Sequence, residues 1–161
     1  MGTRSGDIDA GIPKFLADNN NMSFADIDNA LNKKSGLLGL SGISSDMRDI
    51  ESAAKEGHER AKLAVDVLRH RALKYIGAYA IELGRVDAII FTGGIGENGI
   101  DFRASVVERL TALGIRLDAA ANNARGKEVV ISTADSPIKV MVVPTNEELV
   151  IARDTRDIVR K

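Results

Sequence analysis

Apolar positions recur at helical spacing through the first half of the chain. Near Gly84 they give way to short β-branched runs that alternate with further helical stretches. Ser23 and Asp26 have the spacing of a capping box, and Phe24, Ile27 and Leu31 follow at helical spacing until Gly36, which predicts a helix of about three turns. The segment SGLLGLSGISS, residues 35–45, is too apolar for a flexible linker and too rich in glycine for a helix interior. Its leucines are expected to pack while its glycines turn. Ser45 and Asp46 are candidate N-caps for a second helix, DMRDIESAAKEG, which Gly57 ends. From His58 onward, Ala61, Val65, Leu68, Ala72, Ile76, Ala80 and Leu83 make one continuous stripe, which predicts a long scaffold helix stopped by Gly84.

In the second half, VDAIIF (residues 86–91) reads as a buried parallel strand running into the glycines of TGGIGEN. A helical stretch follows, carrying Phe102, Val106, Leu110 and Leu113 and closed by Gly114. Next come KEVVIST, a turn at Asp135, Ser136 and Pro137, a second apolar run IKVMVV (residues 138–143), and a final helix from about Glu147 to Val159. Two strand-loop-helix units imply an α/β layer with a parallel pair at its centre. Residues 1–84 read as mostly helical and 85–161 as the strand-bearing part, with no internal repeat.

Composition narrows the function more than the fold. The 161 residues are 44% hydrophobic, 28% charged and 4% aromatic, which fits a globular chain. Lys and Arg number 22 against 23 Asp and Glu, so no net field draws polyanions, and the 4 Phe and 2 Tyr leave little to stack bases on. A nucleic-acid partner is disfavoured. With no cysteine, disulfides, thiolate zinc sites and cysteine nucleophiles are excluded. No apolar run approaches the roughly 20 residues that span a bilayer. MGTRSGDIDAGIP has no apolar signal core, and Gly6 stands where a myristoylation pattern needs Ser or Thr. A soluble, cytoplasmic chain without membrane partners is the expectation.

Candidate chemistry falls in four places. Thr92 to Gly99 lies between a predicted strand and a predicted helix. Its glycines could turn backbone amides toward a phosphate, could read as G-x-G-x-x-G through Gly94, Gly96 and Gly99 with Asp118 beyond, or could serve only a tight turn. At Pro144–Glu148, Thr145 and Glu148 have capping-box spacing, while Glu147 is left over as a carboxylate suited to magnesium beside a phosphate. Arg4, between small residues and followed by Asp7 and Asp9, is suited to bidentate contact with phosphate or carboxylate, though local pattern alone favours a frayed terminus. At Ser45–Asp49, helix capping suffices. His58 and His70 have no ligand-spaced partner and read as structural or surface residues.

Taken in order, GTRSGDID, LSGISSDMRDI, DAIIFTGGIGEN and PTNEELVIARD resemble the C-terminal part of the acetate kinase family across essentially the whole chain. The resemblance implies an RNase H-like, actin-like ATPase C-terminal domain, incomplete because its early strands are missing. It also implies reversible phosphoryl transfer between ATP and acetate, giving ADP and acetyl phosphate, with Mg2+. On this reading Arg4 is the catalytic arginine on the in-flight phosphoryl group. Asp46, Met47 and Arg48 lie on the nucleotide side, Gly94, Ile95, Gly96, Glu97 and Asn98 form the nucleotide-binding loop, and Glu147 is the magnesium-associated carboxylate. Family members are about 400 residues long, so an N-terminal half carrying other catalytic groups is absent from this chain. The expected state is therefore inactive alone, with an exposed sheet edge and a tendency to form homo-oligomers. Alternatives are a propionate kinase fragment, a non-catalytic interaction module and, least supported, a dehydrogenase piece resting on the three glycines.

Overall fold

A computed structural model describes residues 1–160. In chain order the elements are α1 (Gly11–Asn20), α2 (Phe24–Lys33), α3 (Gly36–Ser41), α4 (Met47–Lys55), α5 (Glu59–Leu83), β1 (Ala88–Phe91), α6 (Gly93–Asn98), α7 (Ile100–Val107), β2 (Val129–Val130), β3 (Lys139–Val142) and α8 (Glu147–Val159). Short 3₁₀ turns occupy Thr111–Leu113 and Ala121–Asn123. The chain forms two compact units, Met1–Lys74 and Tyr75–Lys161, and the division falls inside α5.

The first unit is helical, as its spacing predicts. Ser23 and Asp26 form the capping box, with the Ser23 hydroxyl accepting from the Asp26 amide and the Asp26 carboxylate accepting from the Ser23 amide at 3.1 Å. Asp46 caps α4 by accepting from the Arg48 amide at 2.9 Å, and His58 Nδ1 accepts from the Ala61 amide at the start of α5. Ile27, Leu37, Met47, Ile50, Ala61 and Ala64 are buried here. The stripe on α5 is only partly covered: Val65, Leu68 and Ala72 are half-buried in this unit, while Leu83 at the far end of the helix is exposed.

Three features of this unit depart from the sequence reading. Residues 11–20 form α1, whose Lys14 and Asp18 pair across one turn and which ends at Asn21 in the left-handed conformation. The glycine-rich stretch forms α3 instead of a string of turns, because its first amides and last carbonyls find distant partners. The amides of Leu37 and Leu38 donate to the carbonyls of Met1 and Gly2, and Arg60 donates to the carbonyls of Gly39 and Leu40. The start of the chain is not frayed: the Ser5 amide donates to Leu31, and the Thr3 carbonyl accepts from Ser35. Gly36 makes this docking possible. It has φ +62°, and a Cβ there would lie 2.5 Å from the Met1 carbonyl oxygen.

The second unit carries a small mixed sheet in the order β1-β3-β2. β1 and β3 are parallel, with Ala88 opposite Lys139 and Phe91 opposite Val142, and β2 is antiparallel to β3. The parallel pair agrees with the two apolar runs, but KEVVIST yields only two strand residues. Beyond them the Ser132 hydroxyl accepts the Val140 amide, and Ser132 bridges to Leu117. Val140, Val142, Ile131, Val106 and Val107 are fully buried, and Phe91 meets Phe102 edge to face at 6.5 Å. α7 ends at Val107, earlier than the apolar spacing suggests, and a 3₁₀ turn completes the path to Gly114. β1 is an edge of the sheet, with Ala88 and Ile90 exposed, and none of the side chains of α8 is buried. Among the described residues, no helix is long and apolar enough to cross a membrane.

The two glycine environments give opposite expectations. Gly36→Ala should lower the thermal unfolding midpoint by about 4–8 °C, from roughly 2 kcal/mol of left-handed strain and overlap. Gly77→Ala, within α5 with nothing within 4 Å of its added carbon, should hold it or raise it by about 1–4 °C, the equivalent of roughly 0.5–1 kcal/mol. Differential scanning calorimetry of both variants checks the pair.

Candidate functional site

β1 and β3 run side by side in the same direction, so the segments that follow them start at neighbouring strand ends, where open α/β sheets place ligands. After β1 the chain enters α6 directly: GGIGEN is a short helix and not the open loop that its glycines suggest. Only Gly93 has positive φ among its glycines. Gly96 is buried, and a Cβ there would lie 3.0 Å from the Phe91 backbone, so this glycine lets α6 pack on the end of β1.

After β3, Thr145 does not cap α8. Asn146 takes that place, its side chain accepting from the Leu149 amide at 3.0 Å, which removes the capping box expected of Thr145 and Glu148. The Thr145 hydroxyl instead joins the two strand ends. It lies 2.8 Å from the Thr92 hydroxyl, accepts from the Gly93 amide at 3.1 Å and donates to Glu97 Oε1 at 3.1 Å. The same Glu97 oxygen accepts from the Thr145 amide at 2.8 Å. That backbone bond, followed by the hydroxyl bond and the Gly93 amide, holds the Glu97 carboxyl below its usual range. Gly93, Gly94, Glu97, Thr145, Asn146, Glu147 and Glu148 line an open cavity of about 400 Å³. Glu147, singled out from the sequence, therefore shares a cavity with Gly94 and Glu97, while Gly96 supports it from behind.

Three carboxylates border this cavity, yet among the described residues no group of three or more His, Cys, Asp or Glu is close enough to hold a metal by itself. A cation here would complete its shell with water and ligand oxygens, the usual habit of magnesium bound through one or two carboxylates and a phosphate. The donor chemistry of Glu147 fits that ion.

The segment is anchored by a residue that sequence reading missed. Arg103, on α7, is fully buried and directs all five of its N–H groups at neutral oxygens. Nε donates to Asn122 Oδ1 at 2.9 Å, one terminal nitrogen donates to the carbonyls of Gly96 and Glu97, and the other donates to those of Asn122 and Ala124. Burial, then the nearby Arg125, lowers its pKa from the ordinary value. The signal available was its place on the helix face that carries Ile100, Val106 and Val107, three and four residues away and all apolar.

In the helical unit, Arg4 is exposed and its guanidinium makes no hydrogen bond or ion pair among the described residues. With Lys34, Leu37, Leu40, Val67 and Arg71 it lines a cavity of about 490 Å³ whose walls mix cationic and apolar side chains. Asp46 and Arg48 are bound to each other, with Arg48 Nε 3.0 Å from one carboxylate oxygen and a terminal nitrogen 2.5 Å from the other. These bonds and the Arg48 amide bring the Asp46 carboxyl down to about 2. Met47 is buried, so its side chain belongs to the core of this unit. Asp7, part of the acidic pair near Arg4, is paired with Arg71 at 3.0 Å.

Residues 1–153 match the profile described as the Acetokinase family. The chain is 58% identical over 159 residues to the acetate kinase of Halothermothrix orenii, covering 99% of this chain and 40% of that protein. Its fold is similar to a solved Porphyromonas gingivalis acetate kinase, with a TM-score of 0.91, 49% identity and coverage of 99% and 40%. It is also similar to a propionate kinase structure from Francisella tularensis subsp. tularensis SCHU S4, with a TM-score of 0.86, 43% identity and coverage of 94% and 38%. The chain thus spans about 40% of the length of these acetate kinases.

Both depressed carboxyls give pH expectations of the same sign. The Asp46 cap is fully formed above its ordinary 3.8 and is lost as the pH falls from there through about 2. The Glu97 clasp on Thr145 is fully formed above 4.5 and is lost as the pH falls through its lower folded value. In a carbon-detected NMR titration, Thr145→Val should move the Glu97 midpoint only part of the way back to 4.5, because the larger contribution comes from the backbone amide, which valine keeps.

Proposed function

Because the chain belongs to the acetokinase family, we propose that it supplies the nucleotide-binding part of a kinase that transfers a phosphoryl group reversibly between ATP and the carboxylate of acetate. The observation that carries this reading is the cavity at the ends of β1 and β3, where the glycine segment, Thr145 and Glu147 meet. The domain is read as an RNase H-like, actin-like ATPase C-terminal domain lacking its early strands, and the small parallel-centred sheet with an exposed β1 edge supports that.

Each residue has a role on this reading. Gly94, Ile95, Gly96, Glu97 and Asn98 form the nucleotide-binding segment, with Gly94 at the open wall of the cavity and Gly96 at its support. Glu147 would hold magnesium, which when bound neutralises phosphate charge. Three carboxylates around one cavity repel a bare phosphate, so the nucleotide is expected to arrive as its magnesium complex. Arg4 would stabilise the charge of the phosphoryl group in transfer, and its freedom from any internal partner suits that task. Asp46, Met47 and Arg48 are assigned to the adenosine side, Met47 through its backbone because its side chain is buried. Propionate is the second acyl reading, favoured by the propionate kinase similarity. A cytoplasmic protein that forms homo-oligomers through its exposed apolar residues, among them Val150, Ile151 and Ile158 on α8, completes the proposal.

Calorimetric titration of the folded chain with Mg-ADP should give saturable binding. Gly94→Val should weaken it by at least about tenfold, because Gly94 borders the cavity, is free of positive φ and has open space around it, so the variant folds while crowding the ligand. Glu147→Gln should weaken Mg-ADP on the order of tenfold without weakening metal-free ADP, which loses one of the three repelling charges. No binding by the folded chain overturns the assignment. Acetyl phosphate formation is expected only when the remaining three fifths of the relatives' length is supplied, and a hydroxamate assay with and without that part checks this.

A further inference from the structure

Among the described residues, the buried polar or charged ones are Ser41, Arg103, Asn122 and Ser132, and two of these four, Arg103 and Asn122, are bonded to each other beneath α6. Arg103 faces no carboxylate. A buried cation without a counter-ion persists only if its donors are fully used, and here five donors meet five oxygens between 2.7 and 2.9 Å. Two of those oxygens are the Gly96 and Glu97 carbonyls at the C-terminal end of α6, which a six-residue helix cannot satisfy internally. The side chain of the same Glu97 clasps the Thr145 amide and hydroxyl, two residues before Glu147. Asn122 extends the brace by donating to the Ile100 carbonyl at 3.1 Å, and Arg125 takes the Asn98 carbonyl at 2.8 Å.

We propose that Arg103 is a positioning residue for nucleotide binding: its guanidinium fixes the end of α6, so that Glu97 stays clasped on Thr145 and the 144–148 segment carrying Glu147 is held at the cavity. The inference rests on the nucleotide reading of that cavity. It requires an arginine. A lysine keeps the charge but brings three donors from one atom in place of a planar fork, leaving carbonyls unpaired and Glu97 free to swing. Asn122 is part of the same device because it supplies both an acceptor and a donor.

The test compares the unsubstituted chain, Arg103→Lys, Glu97→Ala and the double variant, reading the Mg-ADP dissociation constant by calorimetry and, where glutamate is retained, the Glu97 carboxyl midpoint by carbon-detected NMR. Arg103→Lys should weaken binding on the order of tenfold and move the Glu97 midpoint up toward its ordinary 4.5. The double variant should bind no more weakly than the weaker single variant, because both remove the same clasp. A folded Arg103→Lys with unchanged affinity, or a double variant whose loss is the product of the single losses, overturns the proposal. If Arg103→Lys does not fold, Asn122→Ala takes its place, since it removes one of five acceptors. About threefold weaker binding with a raised Glu97 midpoint supports the proposal, and no change in either overturns it. If the unsubstituted chain binds no Mg-ADP, the nucleotide reading falls. The Glu97 midpoint in Arg103→Lys then decides the bracing role by itself: raised, it supports the brace, and unmoved, it overturns it.

Discussion

A buried guanidinium that spends every donor on carbonyl and amide oxygens is the constraint on which the strand-bearing unit depends. Through Arg103, α7 holds the end of α6, the 122–124 turn and, by way of Glu97, the segment after β3. No single one of these bonds is strong in water. Removing the group that makes all five would leave the oxygens of Gly96, Asn122 and Ala124 without that partner, at about 1–3 kcal/mol each where no water can enter, and the Glu97 carbonyl with only the Gly126 amide at 3.4 Å. Such a brace suits a site that must present several groups in one geometry, because it fixes backbone positions and leaves the side chains of Glu97 and Glu147 outside the buried cluster.

The helical unit repeats the device with different residues. α3, GLLGLS, and α6, GGIGEN, are each six residues long with glycines inside, and neither length nor propensity would sustain them in isolation. Each is held by an arginine from the helix that follows later in the chain: Arg60 takes the Gly39 and Leu40 carbonyls, as Arg103 takes those of Gly96 and Glu97. In α3 the other end is satisfied as well, by the carbonyls of Met1 and Gly2. The glycines admit close approach, and the arginines supply the missing hydrogen-bond partners.

That division explains what the sequence made legible. Signals that act within one turn were readable: the Ser23–Asp26 box, the Asp46 cap, the long apolar run to Leu83, the β-branched strands and the span of α8. Elements completed by distant partners were not. α3 and α6 read as loops because glycine content is a local penalty, while Arg60 and Arg103 lie 20 and 7 residues from carbonyls that they satisfy. Thr145 and Glu148 had the spacing of a capping box, but a hydroxyl shared with Thr92, Gly93 and Glu97 outcompeted it, and Asn146 one position later could cap equally well. The start of the chain looked frayed for the same reason, since its partners are Leu31, Ser35, Leu37 and Leu38. Of the candidate site, the residue types were legible, and the clasp between Glu97 and Thr145 was not.

The charge arrangement gives the proposed chemistry its logic. A kinase must neutralise phosphate oxygens with cations and must also hold a metal with carboxylates, two demands that cancel if they are met by the same side chains. In this chain the carboxylates are kept apart by prior commitments. Asp46 is paired with Arg48 and Asp7 with Arg71, while Glu97 is bound to Thr145, which leaves Glu147 as the carboxylate of the predicted set without such a bond. Arg4 is likewise uncommitted, exposed at its own cavity while Arg60 and Arg103 are consumed by helix ends, as the proposed role requires. Arginines and carboxylates are common on this surface. On the proposed reading, selectivity for a ligand rests on which charges the fold has not already used, and hydrogen bonds internal to the protein shape such a site as much as the groups that would touch the ligand.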